Sequence, residues 1–169
     1  MTMQKTVLVL FAVGCGGSNV AQLPAIPDAL KPPAGQSLAV QAQATGAQVY
    51  ECKPGKDDPA KLEWALKGPD AELFDVTGKK IGKHYAGPTW EGEDGSKVVG
   101  EVKAKDPGPD AGAIPWLLMS AKSAEGGGMF GQIATIQRVR TEGGKAPAGA
   151  CTLGAEARVP YKAMYLFYK

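Results

Sequence analysis

The sequence has almost no excess of one charge, because 19 Lys and Arg residues stand against 17 Asp and Glu residues, leaving a net charge of +2. This balance excludes the strongly basic surface typical of nucleic-acid binding, so we expect no nucleic-acid partner. Histidine occurs once and cysteine three times, which is too few for a four-ligand zinc site without carboxylates. We therefore predict no metal site and no cofactor.

Long apolar runs and helical periodicity are also missing. No segment approaches the roughly eighteen consecutive apolar residues of a transmembrane helix, although 44% of the residues are hydrophobic and only 21% are charged. This composition excludes intrinsic disorder, and 169 residues are enough for one domain with a substantial core. The 23 glycines and 13 prolines favour many turns over a helical bundle.

The N-terminus has the pattern of an export signal. A short charged region precedes an apolar run at residues 6–13, which spans about 12 Å as a helix and is too short for a hydrocarbon core of about 30 Å. The next residues, Ala12-Val13-Gly14-Cys15, resemble a bacterial lipobox. We predict a lipoprotein signal peptide over residues 1–14 and lipid attachment at Cys15; the alternative is an ordinary signal peptide. Gly16 follows Cys15, so in a cell with two membranes we expect the outer membrane.

Residues 15–37 are rich in glycine and proline, which interrupt any regular element. We predict that this segment is a flexible tether that holds a single β-domain, residues 38–169, away from the membrane. The alternative is a loosely docked N-terminal arm, with Leu23, Ile26 and Leu30 as its apolar contacts.

Two cysteines remain if Cys15 carries the lipid. An exported protein lies in an oxidising compartment, where an even number of cysteines favours pairing. We therefore predict a disulfide between Cys52 and Cys151 that joins the first strand to the loop before the last strand. The alternative is two free, buried thiols.

Beyond the tether, apolar residues alternate with a period of two, which is typical of strands. Val98, Val102 and Ala104 alternate with charged residues and predict a strand with one buried face, whereas residues 114–119 are apolar on both faces and predict a central strand. The predicted strands are residues 47–53, 62–66, 72–76, 83–91, 97–105, 114–119, 132–141 and 161–168. In the last of these, Tyr161, Ala163, Tyr165 and Phe167 share one face.

Turn-forming segments such as Gly68-Pro69-Asp70 separate these strands at short intervals. Short intervals favour hairpins over parallel crossovers, which need a dozen or more residues. We therefore predict an all-β domain, either an antiparallel β-sandwich or a closed barrel of about eight strands. We expect this domain to be a monomer.

Several segments share the order and the rare residues of one secreted family. They are GKHYAGPTWE at residues 82–91, DGS at 94–96, IPWLL at 114–118, IQRV at 136–139, TEGG at 141–144 and Cys151. From about residue 47 to residue 169, the chain resembles the family called domain of unknown function 3455. The resemblance implies an exported and mostly β domain, and it implies no established activity.

Some fungal members of that family carry a malate dehydrogenase label, and residues 126–131 match the letters of the motif G-x-G-x-x-G. A dinucleotide site needs these glycines to open a helix within a βαβ unit, because the helix N-terminus binds the pyrophosphate. Here a strand rich in β-branched residues follows the glycines. We therefore predict a hairpin turn and no dinucleotide site.

The residue types that most often bind ligands are concentrated in residues 84–96. The candidate ligand-binding residues are His84, Tyr85, Trp90, Glu91, Asp94 and Ser96. If residues 83–91 form one strand, His84 and Trp90 share one face, and Tyr85 and Glu91 share the other. Imidazole is able to form a structural hydrogen bond, contact a ligand or act as a base, and all three roles stay open for His84.

Tryptophan and arginine side chains are further candidates for ligand contacts. Trp64 and Trp116 lie on predicted buried faces, whereas Trp90 lies near a turn, so we expect Trp90 to be the most exposed tryptophan. Arg138 and Arg140 share a face of one predicted strand, and we expect that face to be solvated rather than to bind an anion.

We hypothesise a non-catalytic, lipid-anchored domain of the bacterial cell envelope that binds a small molecule, a glycan or a protein through residues 84–96. One alternative is an envelope hydrolase that uses His84 with Glu91 or Asp94, which requires these side chains to converge in one open cleft. The other is a purely structural envelope protein. No nucleophile-elbow motif is present, so no catalytic residue is assigned.

Overall fold

The computed structural model describes residues 23–169, so the predicted signal peptide and the lipid site at Cys15 lie outside the described residues. A 3₁₀ turn at Asp28–Leu30 precedes the first strand. The strands are β1 (Leu38–Pro54), β2 (Leu62–Phe74), β3 (Lys80–Tyr85), β4 (Thr89–Gly92), β5 (Lys97–Asp106), β6 (Trp116–Glu125), β7 (Thr135–Gly143) and β8 (Glu156–Tyr168). Across residues 23–169, no helix is long and apolar enough to span a membrane.

The strands form one closed antiparallel barrel in which each strand pairs with its neighbour in the chain and β1 pairs with β8. The all-β prediction is confirmed, and of the two predicted architectures the protein adopts the barrel. The closing pair is long, since Leu38 lies opposite Tyr168 at one end and Glu51 lies opposite Glu156 at the other. Closure gives every strand a hydrogen-bonded neighbour on both sides, although the first half of β2 is not paired with β3.

The inward face of β8 carries large rings, as its alternation predicts. Tyr161, Ala163, Tyr165 and Phe167 all belong to the core inside the barrel. Small side chains on the neighbouring strand, such as Ala42 of β1, lie opposite these rings. This pairing of large with small residues is what an eight-stranded barrel needs, because its interior is just wide enough for side chains or one small ligand.

Strand β6 is apolar on both faces because both are covered. Leu117 and Met119 belong to the core inside the barrel, whereas Trp116 and Leu118 pack on the outside against the fully buried Leu30. The side-chain amide of Gln137 donates a hydrogen bond to the Leu30 carbonyl. The described end of the predicted tether is therefore docked on the barrel around Leu30, as in the arm alternative.

Strand β2 corrects the predicted turn at Gly68-Pro69-Asp70, because one strand runs through these residues. The pairing of β2 with β3 covers Asp70 to Phe74 and leaves Pro69 outside it, so the missing N–H of proline costs no bond on that side. A Cβ at Gly68 would lie 2.8 Å from the Cα of Ala86. Gly68 thus permits close approach of the β3–β4 turn.

The predicted single strand at residues 83–91 is also wrong, because these residues form the hairpin of β3 and β4. Gly87 in the turn has a φ of 128°, which favours glycine. In the β5 strand, register shifts on both sides of Val102 break the predicted alternation, so that Val98 packs inside the barrel and Ala104 packs outside. The local alternation of apolar and polar residues does not reveal the β3–β4 turn or the register shifts in β5.

The predicted disulfide is confirmed. Cys52 in β1 is bonded to Cys151 in the loop before β8, and the two cysteines are 99 positions apart in the sequence. The bond therefore fastens the two strands whose pairing closes the barrel.

Replacing both Cys52 and Cys151 with alanine is expected to lower the free energy of unfolding by about 4–5 kcal/mol, because the open chain gains conformational entropy in the unfolded state. Urea unfolding followed by circular dichroism measures the change. Reduction of the unmodified protein serves as the control and should give a similar loss. A loss below about 1 kcal/mol would show that closure by β1 and β8 is sufficient alone.

Candidate functional site

The two ends of the barrel differ, because one contains a cavity and the other is filled by a loop. The cavity lies at the end formed by the β3–β4 and β5–β6 connections, here called the open end, and has a volume of about 410 Å³. Most of its lining is apolar or aromatic, as is typical of small-molecule sites. The lining residues are Gln48, Tyr50, Leu66, Lys67, Gly68, Pro69, His84, Gly87, Pro88, Trp90, Val102, Lys105, Ile114, Pro115, Leu117, Met119, Arg138 and Tyr165.

The opposite end, here called the closed end, is filled by the β6–β7 loop. Phe130 of this loop is fully buried and its ring centroid lies 4.8 Å from that of Phe167. The backbone N–H of Phe130 donates to the Ser96 hydroxyl oxygen at 3.0 Å, and the N–H of Met129 donates to an Asp94 carboxylate oxygen at 2.8 Å. The predicted glycine-rich connection at residues 126–131 is therefore the plug of the closed end.

Asp94 and Ser96 are consequently outside the cavity and support this plug. The Ser96 hydroxyl donates to Asp94 at 2.6 Å. This hydrogen bond is the main cause that holds the pKa of Asp94 below its ordinary value, and the Met129 N–H acts in the same direction. Asp94 and Ser96, which were predicted to contact a ligand, instead bond to each other and to the backbone of the plug.

His84 and Trp90 do line the cavity, and they are buried, with 2% and 0% of their surfaces exposed. They face each other across the β3–β4 hairpin. Their rings stack with centroids 4.4 Å apart and planes 8° apart. Tyr165 packs edge-on against both rings. The predicted exposure of Trp90 is wrong, because the hairpin turns its side chain into the barrel; Trp116 is buried and Trp64 is half-buried.

The His84 imidazole is neutral at physiological pH. Burial lowers its pKa to about 3, and the nearby charge of Arg138 acts in the same direction, whereas the hydrogen bond with Thr89 opposes the shift. Nδ1 lies 2.8 Å from the Thr89 carbonyl oxygen, which only accepts hydrogen bonds, so the proton is assigned to Nδ1 and the lone pair to Nε2.

Tyr85 and Glu91 lie on the outer face of the barrel. The Tyr85 hydroxyl donates to Glu91 at 2.7 Å, and this bond is the main cause that lowers the pKa of Glu91 and raises that of Tyr85. Lys83 and Lys97 lie 3.5 Å and 3.7 Å from the same carboxylate. Since His84 faces inward, the structure does not bring it together with Glu91, and Asp94 is at the closed end.

Three buried side chains of the cavity wall have polar atoms without a hydrogen-bond partner among the described residues. These atoms are Gln48 Nε2, Trp90 Nε1 and the Tyr165 hydroxyl oxygen. Their residues are no more than 2% exposed. The Tyr165 hydroxyl has no well-formed hydrogen bond; burial raises the pKa of Tyr165, but Arg138 and Tyr161 lie close enough to act to lower it. Buried polar atoms almost always have partners, so each such atom needs an explanation.

Arg138 is the cavity residue that sequence reasoning misplaced. Ile136 and Arg138 face inward, and a φ of 48° at Arg140 interrupts the alternation, so the two arginines do not share a solvated face. Arg138 lies opposite Leu117 and Tyr165 on the flanking strands. Its spacing from the core residue Ile136 was the one signal that could have placed it inside.

The protein is thus a single closed antiparallel barrel with an internal cavity at one end. The chain belongs to the family described as Protein of unknown function (DUF3455), whose model matches residues 33–169. The resemblance inferred from the sequence segments is confirmed. No curated protein and no solved structure is similar enough to this chain to count as a match.

Neither a hydrolytic centre nor a metal centre is assembled by the described side chains. The cavity lining contains no carboxylate to pair with His84, although general acid–base catalysis needs groups within hydrogen-bond reach. Within residues 23–169, no cluster of three or more His, Cys, Asp and Glu side chains is arranged to hold a metal ion.

The stability of the protein is expected to fall on mild acidification, because the folded structure keeps His84 unprotonated. His84 is the only histidine of the chain, so no second imidazole contributes to this effect. The pKa of His84 is lowered in the folded state, so between pH 6.5 and 3 the unfolded chain binds a proton that the folded chain does not. The full stability is therefore present above the unfolded pKa and declines as the pH falls through it. We expect a loss of about 2 kcal/mol between pH 7.5 and pH 5.

Urea unfolding at both pH values measures this loss. The control variant His84→Phe keeps a ring against Trp90, and its stability should be nearly constant over the same interval. An equal acid-induced loss in both proteins would assign the effect to other groups.

Proposed function

We propose that this domain is a non-catalytic binding protein that takes a small organic molecule into the cavity at the open end of the barrel. The observation that carries the proposal is the set of unpaired polar atoms on Gln48, Trp90 and Tyr165. These groups belong to a cavity whose other walls are mostly apolar and aromatic, with Arg138, Lys67 and Lys105 as the charged lining residues. A few polar groups on an apolar concave wall are what fixes the orientation of a bound small molecule.

The size of the cavity limits the ligand. Its volume of about 410 Å³ lies near the lower end of the range of about 300–1,000 Å³ for ligand pockets. A molecule with one or two rings fits this space better than a long chain or an oligosaccharide. The exposed side chains Leu66 and Val102 stand at the rim, so an apolar molecule meets an apolar entrance.

The rigid wall of the cavity supports binding without a large rearrangement. The stack of His84 on Trp90 is held by Tyr165 and by the bond to Thr89. The Tyr50 hydroxyl donates to the Gly144 carbonyl at 2.7 Å and ties β1 to the β7–β8 connection. Groups held in place before binding lose little conformational entropy when the ligand arrives.

A screen of one- and two-ring molecules that are neutral, cationic or anionic tests this function, with the thermal midpoint Tm and tryptophan fluorescence as readouts. The variant Tyr165→Phe should bind the resulting ligand about 3- to 10-fold more weakly, because one hydrogen bond is lost. Its stability without ligand should change by less than about 1 kcal/mol, since the removed hydroxyl makes no well-formed hydrogen bond.

The matched control is Tyr85→Phe, which removes a hydroxyl from the outer face and should leave the affinity unchanged. A screen in which no molecule raises Tm or alters the fluorescence would contradict the proposal and favour a purely structural protein. Equal loss of affinity in both variants would place the binding elsewhere.

We also propose that the protein is exported and anchored by lipid at Cys15 in the bacterial cell envelope, at the outer membrane if the cell has two membranes. The lipobox-like sequence supports this location. The disulfide between Cys52 and Cys151 supports it independently, because such bonds persist in oxidising compartments.

Replacing Cys15 with serine is expected to abolish incorporation of labelled palmitate and to move the protein from the detergent phase to the aqueous phase on phase separation, since the acyl chains attached at this residue are the proposed membrane anchor. The control variant Cys52→Ala/Cys151→Ala should keep the label. Unchanged labelling of the Cys15→Ser protein would exclude this residue as the lipid site.

A further inference from the structure

Arg138 introduces a positive charge into the wall of the cavity. Its Nε and Nη2 atoms donate to the Pro115 carbonyl oxygen at 3.0 Å and 2.8 Å. These two bonds use two of the five N–H donors of the guanidinium and fix its position, while three donors remain. The side chain is only half-buried, which places the guanidinium between the deep aromatic wall and the entrance.

The charge of Arg138 has no anionic partner in the described part of the chain. None of the ion pairs among residues 23–169 includes it, and the cavity lining contains no Asp or Glu. Lys67 and Lys105 also line the cavity, but the charge of Lys67 is paired with Glu156 at 2.8 Å. Since a partly desolvated guanidinium stays protonated, its charge is best compensated by an anion.

The influence of this charge extends over the cavity wall. Arg138 acts to lower the pKa of Tyr50, His84 and Tyr165, although burial is the larger effect on each of the three. These side chains come from β1, β3 and β8. A negative group placed among them would therefore be attracted by the charge of Arg138.

The unpaired polar groups of the wall point to the same ligand chemistry. Trp90 Nε1 can only donate a hydrogen bond, and the Tyr165 hydroxyl can donate one. Together with the remaining N–H groups of Arg138, they offer several donors to a ligand, alongside the acceptor at His84 Nε2. A carboxylate only accepts hydrogen bonds, and its two oxygens match the planar guanidinium.

We propose that the ligand is a small monocarboxylate with an apolar body of one or two rings, bound with its carboxylate on Arg138 and its rings against Trp90 and Leu117. This assignment rests on the proposed function, because it names the chemical class that the same cavity takes. Arg138 is its specificity-determining residue, and the aromatic wall supplies the remaining contact area.

Titration calorimetry on the full chain tests the assignment with matched pairs of probes. Phenylacetate, cinnamate and indole-3-carboxylate are compared with their carboxamides, and every further carboxylate found in the screen is compared with its own amide. We expect each carboxylate to bind at least about 10-fold more tightly than its amide, because hydrogen bonds to charged groups are the stronger ones.

Two variants locate this preference. Arg138→Gln should weaken carboxylate binding by at least about 10-fold and leave amide binding within about 3-fold, because the neutral amide gains little from the charge. The matched control Arg158→Gln removes an outer-face arginine that pairs with Asp70 and should change neither affinity. If Arg138→Gln fails to fold, the comparison of carboxylate and amide on the unmodified protein decides the question.

The outcomes separate the two proposals. Ligands that are neutral or cationic, or carboxylates that bind no better than their amides, overturn the monocarboxylate assignment while binding in the cavity stands. A preference for carboxylates that survives in Arg138→Gln overturns the role of this residue. If no probe and no molecule of the broader screen binds, the small-molecule function fails and this inference fails with it.

Discussion

The pairing of β1 with β8 closes the barrel and thereby creates its interior. It converts a meander of neighbouring strands into a closed barrel, so that every inward side chain is enclosed. The disulfide between Cys52 and Cys151 holds the same two parts of the chain together at the open end. Without this closure, Trp90 and Arg138 would lie on an open sheet, and no cavity would separate them from bulk water.

Closure creates an interior, and the two ends use it differently. At the closed end, Phe130 and its hydrogen bonds with the β4–β5 turn fill the space. At the open end, glycines in β2 and in the β3–β4 turn take little room, and Gly68 allows the backbone near Ala86 to approach closely. The cavity is therefore the result of small residues at one end and a plugging loop at the other.

The inner and outer surfaces also differ in how they treat charge. On the outer face, Glu91 is surrounded by a tyrosine hydroxyl and two lysines, and such exposed pairs contribute little to stability. On the inner face, His84 remains neutral and Arg138 has no carboxylate nearby. The interior thus keeps an unbalanced positive charge, which is costly for folding alone.

The amino-acid sequence was enough to predict the strands, the inward face of β8 and the disulfide. Alternation is a local property of the chain, and an even number of cysteines in an oxidising compartment favours pairing. The sequence also placed His84 and Trp90 on one face, although through one strand rather than a hairpin. The folded chain was needed to show that Arg138 lies inside the barrel and that Asp94 and Ser96 support the plug. Those placements depend on bulges, on Gly68 and on contacts between distant strands, which a local period of two does not encode.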